Sequence, residues 1–146
     1  MAAPYDLQRF LDAQQTQYQQ ALEELHEGRK RSHWMWFIFP QLQGLGRSAM
    51  AQRYGISGRS EALAYLQHPV LGPRLLACAD AMLKHGADSA QRILGSPDGL
   101  KFRSCMTLFA HTAPDPAPFE QALQTFFGSR ADPITLKLLN GTAATP

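Results

Sequence analysis

The chain has 146 residues, a formal charge of +2 with histidines neutral, and two cysteines. That length buries about two thirds of the surface of an unfolded chain in one core, so residues 1–146 are read as a single domain. The small charge excludes broad electrostatic binding to nucleic acid, no run nears the roughly 18 apolar residues of a membrane span, and the start lacks the charged and apolar regions of a signal peptide, so a cytoplasmic location is expected.

The pattern predicts a first helix over 6–27, with Asp6 as N-cap and Gly28 as its stop. Leu7, Leu11, Gln14, Tyr18, Leu22 and Leu25 recur at three- and four-residue steps and form its inner face. Arg29, Lys30 and Arg31 follow, where a helix C-terminus favours cations. Ser32 is a candidate cap for the next element, and Pro40 limits its length. Residues 33–39 have no polar face, so periodicity leaves strand and buried helix both open. A short buried helix is favoured, because no other segment looks like a strand partner.

Further along, Ser48 is expected to cap a helix that runs to Tyr54 and stops at Gly55. Another short helix covers 60–66. A long one covers 71–85, with Leu71, Leu75, Cys78 and Met82 on one face and Pro73 in its first turn. Asp88 or Ser89 caps a helix to Leu94, and Asp98 caps one over 100–111. A helix over 118–127 follows. Asp132 then caps a last helix with Pro133 at its first position, ending at Leu139. The tail from Asn140 is expected to fray. The fold class is therefore all-α, with about eight or nine short helices. Cys78 and Cys105 sit in apolar helical surroundings and read as reduced core residues.

One segment dominates. Between residues 28 and 60 there is no Asp or Glu, yet there are six Lys and Arg. Inside it lie both tryptophans, Trp34 and Trp36, with Phe37 and Phe39. The rings fill a core or stack a flat ligand. His33 is placed for proton transfer, or it is a helix-start residue bonded to backbone. Gln41 with Gly44, Gly46, Arg47 and Ser48 is an anion cradle or a helix connector. It lacks the Lys-Ser/Thr pair of a Walker loop and the third glycine of a dinucleotide fingerprint. On a helix over 100–111, Lys101, Ser104 and Thr107 share a face. That stripe lines a pocket or faces water, and its Lys-Ser spacing permits a nucleophile pair.

The function reading that follows is a protein that binds or processes a nucleotide-like or ADP-ribose-like anionic small molecule. Its catalytic candidates are His33 and Lys101. Its ligand-binding candidates are Lys30, Trp34, Trp36, Gln41, Arg47, Ser48 and Ser104. No metal and no cofactor are expected, because the five histidines are scattered. Nucleic acid is not an expected partner, and nothing in the pattern indicates an oligomeric state. The alternative is a non-catalytic interaction module whose aromatic segment is purely structural.

The run Ser32-His33-Trp34-Met35-Trp36-Phe37-Ile38-Phe39-Pro40-Gln41-Leu42, continuing to Gly44-Leu45-Gly46 and Ser48, closely resembles the hallmark of a bacterial family of unknown function. Some members of that family carry the label "calpastatin". Asp6-Leu7, Arg9-Phe10-Leu11, Ala13-Gln14, Tyr54-Gly55-Ile56, His68-Pro69-Val70-Leu71-Gly72, and Asp98, Lys101, Ser104 and Thr107-Leu108-Phe109 match as well. The resemblance spans nearly the whole chain and implies one all-α domain. It implies no activity; the label would imply protease inhibition. A narrower stretch, Phe10-Leu11-Asp12-Ala13-Gln14, is similar to a helix of proteins that remove ADP-ribose from modified bases.

Overall fold

The computed structural model describes residues 5–143, with side chains through Asn140. Among them are nine helices: α1 (Gln8–Glu27), α2 (Met35–Ile38), α3 (Ala49–Tyr54), α4 (Arg59–Gln67), α5 (Leu71–Leu83), α6 (Ala90–Leu94), α7 (Asp98–Ala110), α8 (Ala117–Phe127) and α9 (Pro133–Ala143). No helix among the described residues is long and apolar enough to cross a membrane.

α7 is the central rod. Phe102, Ser104, Cys105, Met106, Thr107, Leu108 and Phe109 are all buried, so it has almost no solvent face. α6, α8, α9 and α4 pack around it, while α1 and α5 lie against each other beside α8 and α4. Aromatic pairs bind these layers. Phe10 meets Tyr65 edge-on at 5.0 Å between centroids, and Tyr65 continues to Phe109 at 5.7 Å. Phe39 meets Phe102 edge-on at 4.8 Å. Such geometries add about 0.5–1.5 kcal/mol per pair beyond burial.

Gln14 ties four elements together. Its amide nitrogen donates to the Phe37 carbonyl at 2.7 Å and to the Tyr65 hydroxyl at 3.1 Å, while its oxygen accepts from Arg74 at 3.3 Å. Phe10 and Gln14, the start and end of the stretch similar to the ADP-ribose-removing proteins, are both buried structural residues.

Several local expectations need correction. The buried line of α1 is Phe10, Gln14, Ala21, Glu24 and Leu25, and the leucines at 7, 11 and 22 flank it half-buried. Asp6 does not cap α1; its carbonyl accepts from Arg9 instead. Ser32 does not cap α2 either, because its hydroxyl is drawn to Glu24 at 2.6 Å. Asp98 is the first residue of α7 and not its cap. α9 continues through Asn140 to Ala143 where fraying was expected, and 144–146 lie outside the described residues. Residues 33–39 do contain a helix, though one of only four residues. An unexpected backbone link joins 41–43 to Ile56: Gln43 N–H donates to the Ile56 carbonyl at 2.7 Å, and Ile56 N–H to the Gln41 carbonyl at 2.8 Å.

Both cysteines are free and buried. Burial pushes the Cys78 thiol up to about 12 against the opposing pull of Arg74, and it raises Cys105 as well. Thiols held protonated in this way are poor nucleophiles.

Candidate functional site

The basic-aromatic segment begins at a sharp reversal. Gly28 closes α1 with φ 79°, in the left-handed region that favours glycine. The reversal lays residues 31–34 back along the last turns of α1, and three of them converge on Glu24. Its Oε1 accepts from the Arg31 N–H at 2.7 Å, the Ser32 N–H at 3.1 Å and the Trp34 indole at 3.0 Å. Its Oε2 accepts from the Ser32 hydroxyl at 2.6 Å and from Gln20 at 3.1 Å. Burial alone would raise this carboxyl, which is 2% exposed. The hydrogen bonds from Ser32, Arg31, Trp34 and Gln20 outweigh burial and bring it down to about 2. Trp34 is fully buried with its indole N–H committed, so it has no face to offer a ligand.

Trp36, two residues on, points into different surroundings. It is half-buried and lines a half-open cavity of about 150 Å³ with Gln41, Leu42, Leu45, Gly46, Ala51, Tyr54, Gly55 and Lys101. The Lys101 ammonium stands 3.6 Å from the Trp36 ring centroid, a cation–π contact worth about 0.5–2 kcal/mol. Neither the Gln41 carboxamide nor the Tyr54 hydroxyl bonds another group among the described residues. The cavity thus has apolar walls, one cation and two polar groups with free capacity.

Two structural features hold this wall in place. Arg9 donates to the carbonyls of Arg53 at 2.7 Å and Gly55 at 3.0 Å, and it pairs with the buried Glu61 at 3.0 Å. Gly55 lies so close to the 41–43 segment that an added Cβ would sit 2.9 Å from Gln43 Cα and 2.8 Å from the Ala51 carbonyl. Here glycine is required by close approach.

Charge at the cavity edge is set by Asp98. It pairs with Lys30 at 3.0 Å and with Lys101 at 3.5 Å. Two lysines share one carboxylate, which leaves one positive charge in surplus. Lys30 also stands 5.3 Å from the buried Trp34 ring and does not line the cavity.

The remaining candidates lie elsewhere. His33 is exposed and outside the cavity lining. Arg47 is exposed; its carbonyl accepts from Gln52 at 3.2 Å, and its guanidinium has no partner among the described residues. The Ser48 hydroxyl caps α3 by accepting from Ala51 N–H at 3.1 Å. Ser104 is tied to backbone and to Asp132. Its single hydroxyl hydrogen is shared between Leu100 O at 3.3 Å and Asp132 Oδ2 at 3.2 Å, in the cap that starts α9. Asp132 also accepts from Thr135 N–H at 3.0 Å, and Thr107 accepts from Asp132 N–H at 2.9 Å. The Lys101-Ser104-Thr107 stripe is therefore neither a nucleophile pair nor a solvated face. Of the nine candidates, the cavity joins Trp36, Gln41 and Lys101. Tyr54 and Asp98 belong to the same arrangement and carried no signal strong enough to single them out in the sequence.

The family model for DUF1810, a protein family of unknown function, matches residues 4–139. The chain belongs to that family. A solved structure, that of the conserved hypothetical protein Rv1873 from Mycobacterium tuberculosis, is similar to this DUF1810 chain at 48% identity and a TM-score of 0.93. The alignment covers 94% of this chain and 99% of the mycobacterial one. No curated protein matches.

Proposed function

We propose that this DUF1810 chain binds a small anionic molecule by inserting one flat ring into the Trp36 cavity. The observation that carries the reading is the Lys101 ammonium, in charge surplus at the rim of an apolar cavity that also holds the unpaired Gln41 and Tyr54 groups. Roles follow from position. Lys101 neutralises the anion, Gln41 and Tyr54 hydrogen-bond it, and Trp36, Leu42 and Leu45 enclose the ring.

Size narrows the nucleotide-like reading. Drug-sized ligands occupy cavities of roughly 300–1,000 Å³, whereas a cavity of about 150 Å³ holds a benzene-sized ring. A nucleotide or ADP-ribose would leave most of its mass outside. An interaction module would rest on the exposed large apolar residues among those described, Met50, Val70, Leu76, Leu100 and Ile134.

Thermal unfolding with a panel of ring-bearing anions tests the proposal. A ligand at 100 times its Kd should stabilise by ~2.7 kcal/mol, raising Tm by roughly 5–10 °C. Lys101→Met keeps apolar packing on Trp36 and removes the charge, so it should abolish that shift while folding normally. If no member of the panel shifts Tm, or if the shift survives in Lys101→Met, the proposal fails.

A further inference from the structure

Resting on the cavity reading above, we infer that the ligand class is the planar monocarboxylate, one aromatic or unsaturated ring bearing a single carboxylate, and not a phosphate ester. Three independent features of the site converge on that class.

The first is charge. Lys30 and Lys101 share Asp98, so the local sum is a single positive charge. A monocarboxylate balances it. A phosphate monoester carries about −1.5 to −2 at pH 7 and brings a second negative charge close to Asp98, whose oxygen is 3.5 Å from the Lys101 ammonium. Asp98 cannot relax away, because Lys30 holds it at 3.0 Å. The guanidinium that could balance more charge, Arg47, is outside the cavity lining. Among the described residues that lining includes no arginine, so it offers no bidentate fork to a phosphate.

The second is volume. About 150 Å³ accepts one six-membered ring with a small substituent. The third is the donor set. A carboxylate has two oxygens in one plane, and the lining supplies an ammonium, an amide and a phenol hydroxyl, all able to donate. A neutral amide of the same shape would leave the lysine unmatched. A hydrogen bond to a charged partner is about twice as strong as a neutral one, so removing the ligand's charge is felt directly in affinity.

Isothermal titration calorimetry with three probes of one ring size separates the cases. The probes are benzoate, its neutral counterpart benzamide, and phenyl phosphate, each titrated into the wild-type chain and into Lys101→Met and Gln41→Ala. The expected order is benzoate first, with benzamide and phenyl phosphate each weaker by tenfold or more. Lys101→Met should erase the preference of benzoate over benzamide, and Gln41→Ala should weaken benzoate severalfold. If phenyl phosphate binds as tightly as benzoate in a Lys101-dependent way, the carboxylate inference is overturned while the anion cavity stands. If benzamide equals benzoate, the charge argument is wrong. If no probe binds in a Lys101-dependent way, both the inference and the cavity reading fall. Circular dichroism melts of the two variants confirm that each is folded. Should Lys101→Met not fold, Gln41→Ala and the ranking of probes on the wild-type chain decide alone.

Discussion

Glu24→Gln is the sharpest perturbation of the basic-aromatic segment. The substitution keeps the shape of the side chain but replaces a carboxylate by an amide, one end of which donates. Five hydrogen bonds now end on the two oxygens, from Gln20, the Arg31 N–H, the Ser32 N–H and hydroxyl, and the Trp34 indole. No cation among the described residues pairs with this carboxylate, so neutral donors hold its charge there. Its descent from 4.5 to about 2 is worth about 3 kcal/mol at roughly 1.4 kcal/mol per tenfold change in proton affinity. The group is depressed in the folded state, so its contribution is complete above about 4.5 and disappears as pH falls toward 2. Urea unfolding of the wild-type and Glu24→Gln chains across pH 7 to 3 measures the difference directly. The wild-type chain should be more stable by about 3 kcal/mol at neutral pH, and the gap should narrow steadily below pH 4.5. A gap that stays constant over that range, or no gap at pH 7, would refute the account of Glu24.

Two further outcomes follow from packing. Phe37→Ala should cost about 3–5 kcal/mol in urea unfolding, whereas Trp36→Ala, half-buried at the cavity, should cost about 1–2 kcal/mol; equal costs would show that Trp36 is core. Gly55→Ala should destabilise by about 1–3 kcal/mol, because the added methyl meets the Ala51 carbonyl at 2.8 Å and the Gln43 backbone at 2.9 Å; an unchanged Tm would mean that this approach is looser than described.

Local chemistry was legible where it acts within a few residues. Ser48 and Ser89 cap the helices they precede, Asp132 and Pro133 open α9, and Gly28 stops α1. The inner face of α5 was readable for the same reason, since Leu71, Leu75, Cys78 and Met82 repeat at helical spacing. Long-range pairings were not. A glutamate on an amphipathic helix ordinarily faces water, and only the reversal at Gly28 brings the four donors of Arg31, Ser32 and Trp34 to Glu24 beside Gln20 of its own helix. The backbone link of 41–43 to Ile56 is too short to leave a strand pattern. Trp34 and Trp36 looked equivalent in the sequence. Trp34 stands just before α2, with its indole N–H drawn to Glu24, and Trp36 lies in its first turn, so one ring enters the core and the other meets the cavity. The partner of Trp36 is Lys101, on another helix, and no local pattern encodes that contact.

The divergence of the two tryptophans also supplies the most direct test of the cavity. Each indole N–H gives its own signal in a ¹⁵N-labelled chain, and Trp36→Phe assigns the pair. Titration with benzoate should move the Trp36 signal progressively to saturation. The Trp34 signal, bonded to Glu24 at 3.0 Å in the core, should stay in place. If the Trp36 signal does not move, or if Trp34 moves in its stead, the cavity beside Lys101 is not the binding site.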